Sequence, residues 1–228
     1  MMSSYFPLRP MLPTKAVLFD LDGTLVDTAD DLGAALNHVL ACHDLPLCTP
    51  EQYRPMASHG AKGLLELGFG QRLAAYDFGL LRQQLLDYYA LHVCDHSQLF
   101  PGGNALIADL NQQHIPWGIV TNKPYRLAAS MLKQMPELQQ CAILLGGDSL
   151  AQRKPDPTPL WVASHQLKVP PANCWYVGDA ERDIMAGNRA GMTTVLAAFG
   201  YIGETDHPEH WQADFQIDSL VDLIALIR

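Results

Sequence analysis

The stretch Lys15-Ala-Val-Leu-Phe-Asp-Leu-Asp-Gly-Thr24 constrains this chain more than any other. Val17, Leu18 and Phe19 read as a short buried strand, because a continuous apolar run stops at a turn residue. Side chains alternate along a strand, so Asp20 and Asp22 fall on the same side where it ends. Two carboxylates held that close repel unless a cation lies between them or one keeps its proton. Such a strand end suggests a metal site, an acid/base pair, or both. Gly23 lets the backbone turn sharply and approach a ligand closely.

After Thr24 the pattern becomes helical. Asp27 or Thr28 is placed to cap a helix whose apolar positions include Leu32, Ala35, Leu36, Val39 and Leu40. Little from there to about residue 99 reads as strand, and residues 80–92 form another amphipathic helix. Pro101-Gly-Gly103 marks the exit. Strands at 115–120, 142–145, 174–177 and 193–198 then alternate with helices at 104–113, 123–135, 157–167 and 182–190, and a strand at 215–217 precedes a last helix at 220–227. That alternation predicts a parallel sheet covered on both faces. The expected fold class is α/β, with residues 15–26 and 100–228 as the core. Residues 27–99 are expected to be a helical domain inserted after the first strand, and residues 1–14 a flexible extension.

Composition excludes several function classes. With 48% hydrophobic and 17% charged residues, the chain is an ordinary globular sequence and not a disordered one. Its formal net charge of −9 disfavours a nucleic-acid partner, since phosphate backbones select basic surfaces. Any anionic ligand then needs a local positive site or a metal. Five cysteines without a C-x-x-C pair read as reduced thiols. No run approaches the length needed to cross a bilayer, and the N-terminus has no apolar signal region. A cytoplasmic protein is expected, a monomer or a dimer, with no membrane partner.

Ligands of open α/β sheets bind at the carboxyl ends of the strands. One such end carries Asp20-Leu-Asp22. Another carries Thr121-Asn122-Lys123, which offers a hydroxyl and backbone N–H groups to a phosphate. A third carries Gly178-Asp179, with Asp183 one helical turn on, and Lys154 precedes a helix within Arg153-Lys-Pro-Asp-Pro157. The acidic side chains suit Mg²⁺; the hydroxyl and the lysine suit phosphate.

The ordered set Asp-x-Asp-Gly-Thr, Thr-Asn-Lys, Lys-Pro and Gly-Asp-x-x-x-Asp resembles the haloacid dehalogenase superfamily of aspartate-nucleophile phosphatases, over nearly the whole chain from Lys15 onward. The resemblance implies a Rossmann-like core with a small helical cap, and Mg²⁺ as the cofactor. It implies that Asp20 attacks phosphorus to form an aspartyl-phosphate, while Asp22 protonates the leaving alkoxide and then deprotonates water. Asp20, the backbone carbonyl of Asp22 and Asp179 would hold Mg²⁺. Thr121 and the backbone of Asn122 would bind phosphate oxygens, Lys154 would offset the charge in transfer, and Asp183 would orient Lys154 or a metal-bound water. Gly23, Thr24 and Gly178 support this set. Ala180 stands where the family often has a second acid.

Dehalogenase members lack the second aspartate, so Asp22 favours phosphoryl transfer. The continuation through Asp27 and the helical insert resemble the phosphoglycolate phosphatase-like branch, in which cap residues usually select the substrate. The candidates here run from Ser58 to Gly63, with His59 and Lys62 placed to meet a substrate carboxylate or sugar oxygen. Residues 117–124 and 199–214 resemble the part of the branch that contains N-acetylmuramic acid 6-phosphate phosphatases. The expected partner is therefore a small phosphorylated metabolite, N-acetylmuramic acid 6-phosphate or 2-phosphoglycolate. A β-phosphoglucomutase-like phosphotransferase on the same scaffold is the alternative. His207 and His210, with Glu204, Asp206 and Glu209, read as a polar loop in preference to a metal cluster.

Overall fold

Ala16–Phe19 form strand β1, and every residue of it is buried. The computed structural model describes residues 15–227; the expected N-terminal extension lies outside the described residues. Across the main sheet the strands run β5 (Ile143–Leu145), β4 (Trp117–Val120), β1, β6 (Cys174–Gly178), β7 (Thr193–Ala197) and β8 (Phe215–Ile217), all parallel. Taken in chain order, these six follow the 3-2-1-4-5-6 arrangement of doubly wound folds. The direction of winding reverses between β1 and β6, which opens a crevice at their carboxyl ends.

Both faces of the sheet are apolar, as parallel strands under crossover helices require. Val17 and Phe19 pack with Trp117, Ile119, Trp175 and Val177 on one face, against α5 (Gly103–Gln112), α6 (Tyr125–Gln134) and α9 (Leu220–Leu226). Ala16 and Leu18 pack with Val120, Ile143 and Tyr176 on the other, against α7 (Thr158–Leu167) and α8 (Glu181–Ala190). The first of these cores continues through Leu21 and Leu25 into a block of helices: α1 (Ala29–Cys42), α2 (Pro50–Tyr53), α3 (Gly60–Phe69) and α4 (Phe78–Leu91). Helix α1 packs on both α3 and α4, presenting Leu32, Leu36, Val39 and Leu40 at helical spacing.

The block is bracketed by a feature the sequence does not predict. β2 (Val26–Asp27) pairs antiparallel with β3 (Gln98–Leu99), with Val26 opposite Leu99 and Asp27 opposite Gln98. Two-residue strands are too short to show alternation. The closure is reinforced by Asp31, a buried carboxylate in the first turn of α1. It accepts from the N–H of His96 at 2.9 Å, and from the N–H and hydroxyl of Ser97 at 2.9 and 2.6 Å. The chain leaving the helices is thereby tied to the chain entering them.

Asp31→Ala leaves these N–H groups without their acceptor and should cost about 3 kcal/mol of unfolding free energy. Urea unfolding with an unchanged m-value checks this, and a loss below about 0.5 kcal/mol, the range of an ordinary surface change, contradicts it.

Candidate active site

Register brings three strand ends together. Phe19 stands opposite both Ile119 and Val177, so the residues that follow β1, β4 and β6 emerge side by side. Asp20 is locked to this edge by its own N–H, which donates to the Val177 carbonyl at 2.9 Å. Its Oδ1 accepts from the Leu21 N–H at 2.7 Å. Lys154, itself buried, reaches in from the loop before α7: its Nζ lies 2.9 Å from Asp20 Oδ1 and 2.7 Å from Asp183 Oδ1. The same ammonium donates to the Tyr176 hydroxyl at 2.8 Å, and that hydroxyl donates to the Val120 carbonyl at 2.8 Å.

These partners decide the charge states. Burial raises the Asp20 carboxyl, but Lys154, Arg182 and the Leu21 N–H outweigh it and hold the group below its ordinary value. Asp20 is therefore a carboxylate. Asp179 has no lysine against it; burial, Asp183 and Asp20 push it up to about 7. Burial, opposed by Lys154, also raises Asp183.

Asp179 is nonetheless firmly held. Its Oδ1 accepts from Thr24 Oγ1 at 3.1 Å, and its Oδ2 from Ser58 Oγ at 2.7 Å and from the Tyr201 N–H at 2.9 Å. Gly23 sits so close, at φ 82°, that a Cβ there would collide with the Asp179 carboxylate. Asp20, Asp179 and Asp183 offer carboxylate oxygens that lie within 4.8 Å of one another. Three buried acids at that separation, one with its proton affinity raised by the other two, are a donor set that a hard divalent cation fits. The side chain of Asp22 stands apart from them. Its Oδ1 accepts from Thr28 Oγ1 and from Lys123 Nζ, both at 2.7 Å.

Thr121 follows β4 and is buried, with its N–H on the Leu145 carbonyl. Its hydroxyl accepts from the Lys123 N–H at 3.1 Å, so it makes a tight local turn; the residue at the cap of α6 is Pro124. Asn122 spends its amide on the Lys154 carbonyl at 3.0 Å, which joins two of the loops. Gly178 ends β6, and Asp183 accepts from the Ala180 N–H at 3.1 Å, which seats the first turn of α8. Thr121, Asn122 and Lys154 line one cavity of about 760 Å³ with Asp20 and Asp22.

The far wall of that cavity comes from the helical block, through Ser58, His59, Lys62, Arg82 and Tyr89 among others. His59 and Lys62 are exposed, and Lys62 pairs with Glu66 at 3.7 Å on its own helix. Neither bonds to the strand-end set. Ser58 does, through Asp179, and so does Tyr89, whose hydroxyl accepts from Lys123 Nζ at 2.7 Å. The sequence places Lys123 in a motif but does not predict its contact with Asp22, and nothing in it marks Arg182, Tyr89 or Tyr201 as parts of the site. For Lys123 the signal was present, as a cation directly after a strand-end Thr-Asn. The loop residues His207, Glu209 and His210 are exposed at the surface and take no part in this site.

The cavity is also the positive centre of an acidic chain. Lys62, Arg82, Lys123, Arg126, Arg153, Lys154 and Arg182 line it, seven of the fifteen lysines and arginines. This is the local positive site that a net charge of −9 requires for an anionic ligand.

A family model described as haloacid dehalogenase-like hydrolase matches residues 17–197, a span that holds the ends of β1, β4 and β6. A phosphoglycolate phosphatase of Xanthomonas campestris pv. campestris is 45% identical over 204 residues, covering 90% of this chain and 92% of that protein. An N-acetylmuramic acid 6-phosphate phosphatase of Pseudomonas aeruginosa is 37% identical over 213 residues, covering 93% of this chain and 94% of that protein. Among solved structures, one described as a predicted phosphoglycolate phosphatase from Haemophilus somnus superposes with a TM-score of 0.85 at 26% identity, over 96% of this chain and 100% of that one. The geometry of the strand ends and these likenesses agree, and the chain belongs to the haloacid dehalogenase-like hydrolases.

Proposed function

We propose that the chain is a divalent-cation-dependent phosphatase that transfers a phosphoryl group to Asp20 and then to water. The observation that carries this is the buried Asp20 carboxylate held anionic against Lys154, with a second carboxylate, Asp22, two residues on. One Asp20 oxygen attacks phosphorus and the ester oxygen leaves with a proton from Asp22. Water then attacks the aspartyl-phosphate, gives its proton to Asp22, and releases inorganic phosphate and free Asp20. Thr28 and Lys123 both bind Asp22 Oδ1, which leaves Oδ2 for that proton. Thr121 and the Asn122 backbone receive phosphate oxygens, and Lys154 offsets the charge in transfer. When bound, Mg²⁺ supplies the charge neutralisation that lets a carboxylate approach a phosphate dianion; Asp20, the Asp22 carbonyl and Asp179 would hold it, with Asp183 beside them. Residues 27–99 act as a cap that closes the cavity and limits water access.

The substrate is a phosphate ester that also carries a carboxylate, as do N-acetylmuramic acid 6-phosphate and 2-phosphoglycolate. The cation-rich cavity supports a second anion, and a volume of about 760 Å³ suits an amino-sugar acid better than a two-carbon acid. Arg82 of α4 and Arg126 of α6 line the cavity from opposite sides, without an ion pair among the described residues. They are better placed for that carboxylate than Lys62, which is already paired.

Inorganic phosphate release in Mg²⁺ from N-acetylmuramic acid 6-phosphate and from N-acetylglucosamine 6-phosphate, which lacks the carboxylate, tests this reading. The acid should be preferred in kcat/KM, and Arg82→Gln and Arg126→Gln should each reduce that preference by about tenfold or more. Equal rates for the two esters contradict the carboxylate, and an isomerised product without phosphate release contradicts the phosphatase.

Because the Asp179 carboxyl is pushed up to about 7, the folded chain binds its proton more tightly than the unfolded chain does. Its contribution to stability therefore falls as pH rises from the ordinary carboxylate range through about 7. A divalent cation replaces that proton. The rise in Tm on adding Mg²⁺ should grow between about pH 5.5 and about pH 8, and a rise that is the same at both contradicts the metal assignment to Asp179.

A further inference from the structure

Of the two residues the sequence offers to cap helix α1, Asp27 and Thr28, only Asp27 accepts from the helix start, at 3.4 Å from the Ala29 N–H. Thr28 stands at the N-cap position, but its side chain makes no capping bond and goes to Asp22 instead. The exposed N–H groups at a helix start need an acceptor. The shorter bonds come from Tyr201, in the loop after β7: the phenol oxygen accepts from the N–H of Thr28 at 2.6 Å and of Ala29 at 2.9 Å, the latter shared with Asp27. The same hydroxyl donates to Asp27 Oδ1 at 2.8 Å. A phenol has one proton and two acceptor positions, and all three are used.

Tyr201 also touches the helical block and the acidic site. Arg54, which follows α2, lies over its ring at 6.0 Å and pairs with both Asp27 and Asp30. The backbone N–H of Tyr201 is one of the two donors on Asp179 Oδ2, and the other is Ser58 of the helical block. The neighbouring Gly200 packs so closely that a Cβ there would strike the Asp179 side chain. One buried residue thus joins the start of α1, where the chain enters the helices, to the carboxylate that faces Asp20 and Asp183.

We propose that Tyr201 is a positioning residue that sets the orientation of Asp179 according to how the helical block is seated. Its hydroxyl reads the entry to α1 and its N–H transmits that position to Asp179. The inference rests on the reading of Asp179 as a metal ligand.

Tyr201→Phe keeps the N–H that binds Asp179 and removes only the hydroxyl. Binding of Mg²⁺ alone, measured by isothermal titration calorimetry, should weaken by about tenfold or more, as for residues that orient a metal ligand without touching the metal. Ser58→Ala should weaken it too. The double variant should lose less than the sum of the two, because both act on the same oxygen. Leu223→Ala, a core truncation on α9, provides a destabilised comparison: its lower Tm should come without a change in Mg²⁺ affinity. A Tyr201→Phe protein that binds Mg²⁺ as tightly as the unaltered chain overturns the inference alone. If losses in affinity follow Tm across all the variants, Tyr201 is only structural and the inference is also overturned. An unaltered chain that binds no Mg²⁺ overturns the metal reading, and the inference with it.

Discussion

Lys154 is charged, buried and held between Asp20 and Asp183, and the rest of the site depends on that ion cluster. An ammonium taken out of water is costly unless carboxylates and hydrogen bonds replace the lost hydration, and loss of one partner from such a pair costs about 3–5 kcal/mol. The fold supplies the partners from three places: Asp20 from the end of β1, Asp183 from the first turn of α8, and the Tyr176 hydroxyl from within β6. The sheet order makes this possible, because β1 and β6 are adjacent only where the winding reverses. The acids differ in state: Lys154, Arg182 and the Leu21 N–H hold Asp20 below its ordinary value, while burial keeps Asp179 and Asp183 above theirs.

Much of this was legible in the sequence because its signals are local. The apolar run at Val17 to Phe19, the Asp-x-Asp pair and the alternation of strands with helices each follow from short-range periodicity. The order of the four motifs then placed Asp20, Thr121, Lys154 and Asp179 at strand ends or beside them, where the structure has them. What escaped was non-local and aperiodic. The β2–β3 pair is too short for a pattern. Asp31 resembles any acid in a first helical turn, yet its partners are 65 and 66 residues away. Nothing near Thr28 says that its helix is capped by a tyrosine 173 residues later.

The helical block and the strand ends meet at one cavity. In the sequence Lys62 is a cation on a glycine-bearing turn; in the structure an acid one helical turn on engages it. The residues that do reach the strand ends are Ser58, on Asp179, and Tyr89, on the lysine that binds Asp22. Residues 27–99 thus contact Asp179 through Ser58, and Asp22 both directly through Thr28 and by way of Tyr89 and Lys123. A chain that is acidic overall concentrates seven cations on the cavity beneath that block, a local positive site suited to an anion.

The central claim is that Asp20 becomes covalently phosphorylated. Acid quench during turnover, followed by borohydride reduction and peptide mass spectrometry, tests it directly, since an acyl phosphate is reduced and a free carboxylate is not. The account predicts homoserine in place of aspartate at position 20 and nowhere else. Steady release of phosphate with Asp20 unmodified, or with the modification at another residue, would contradict it.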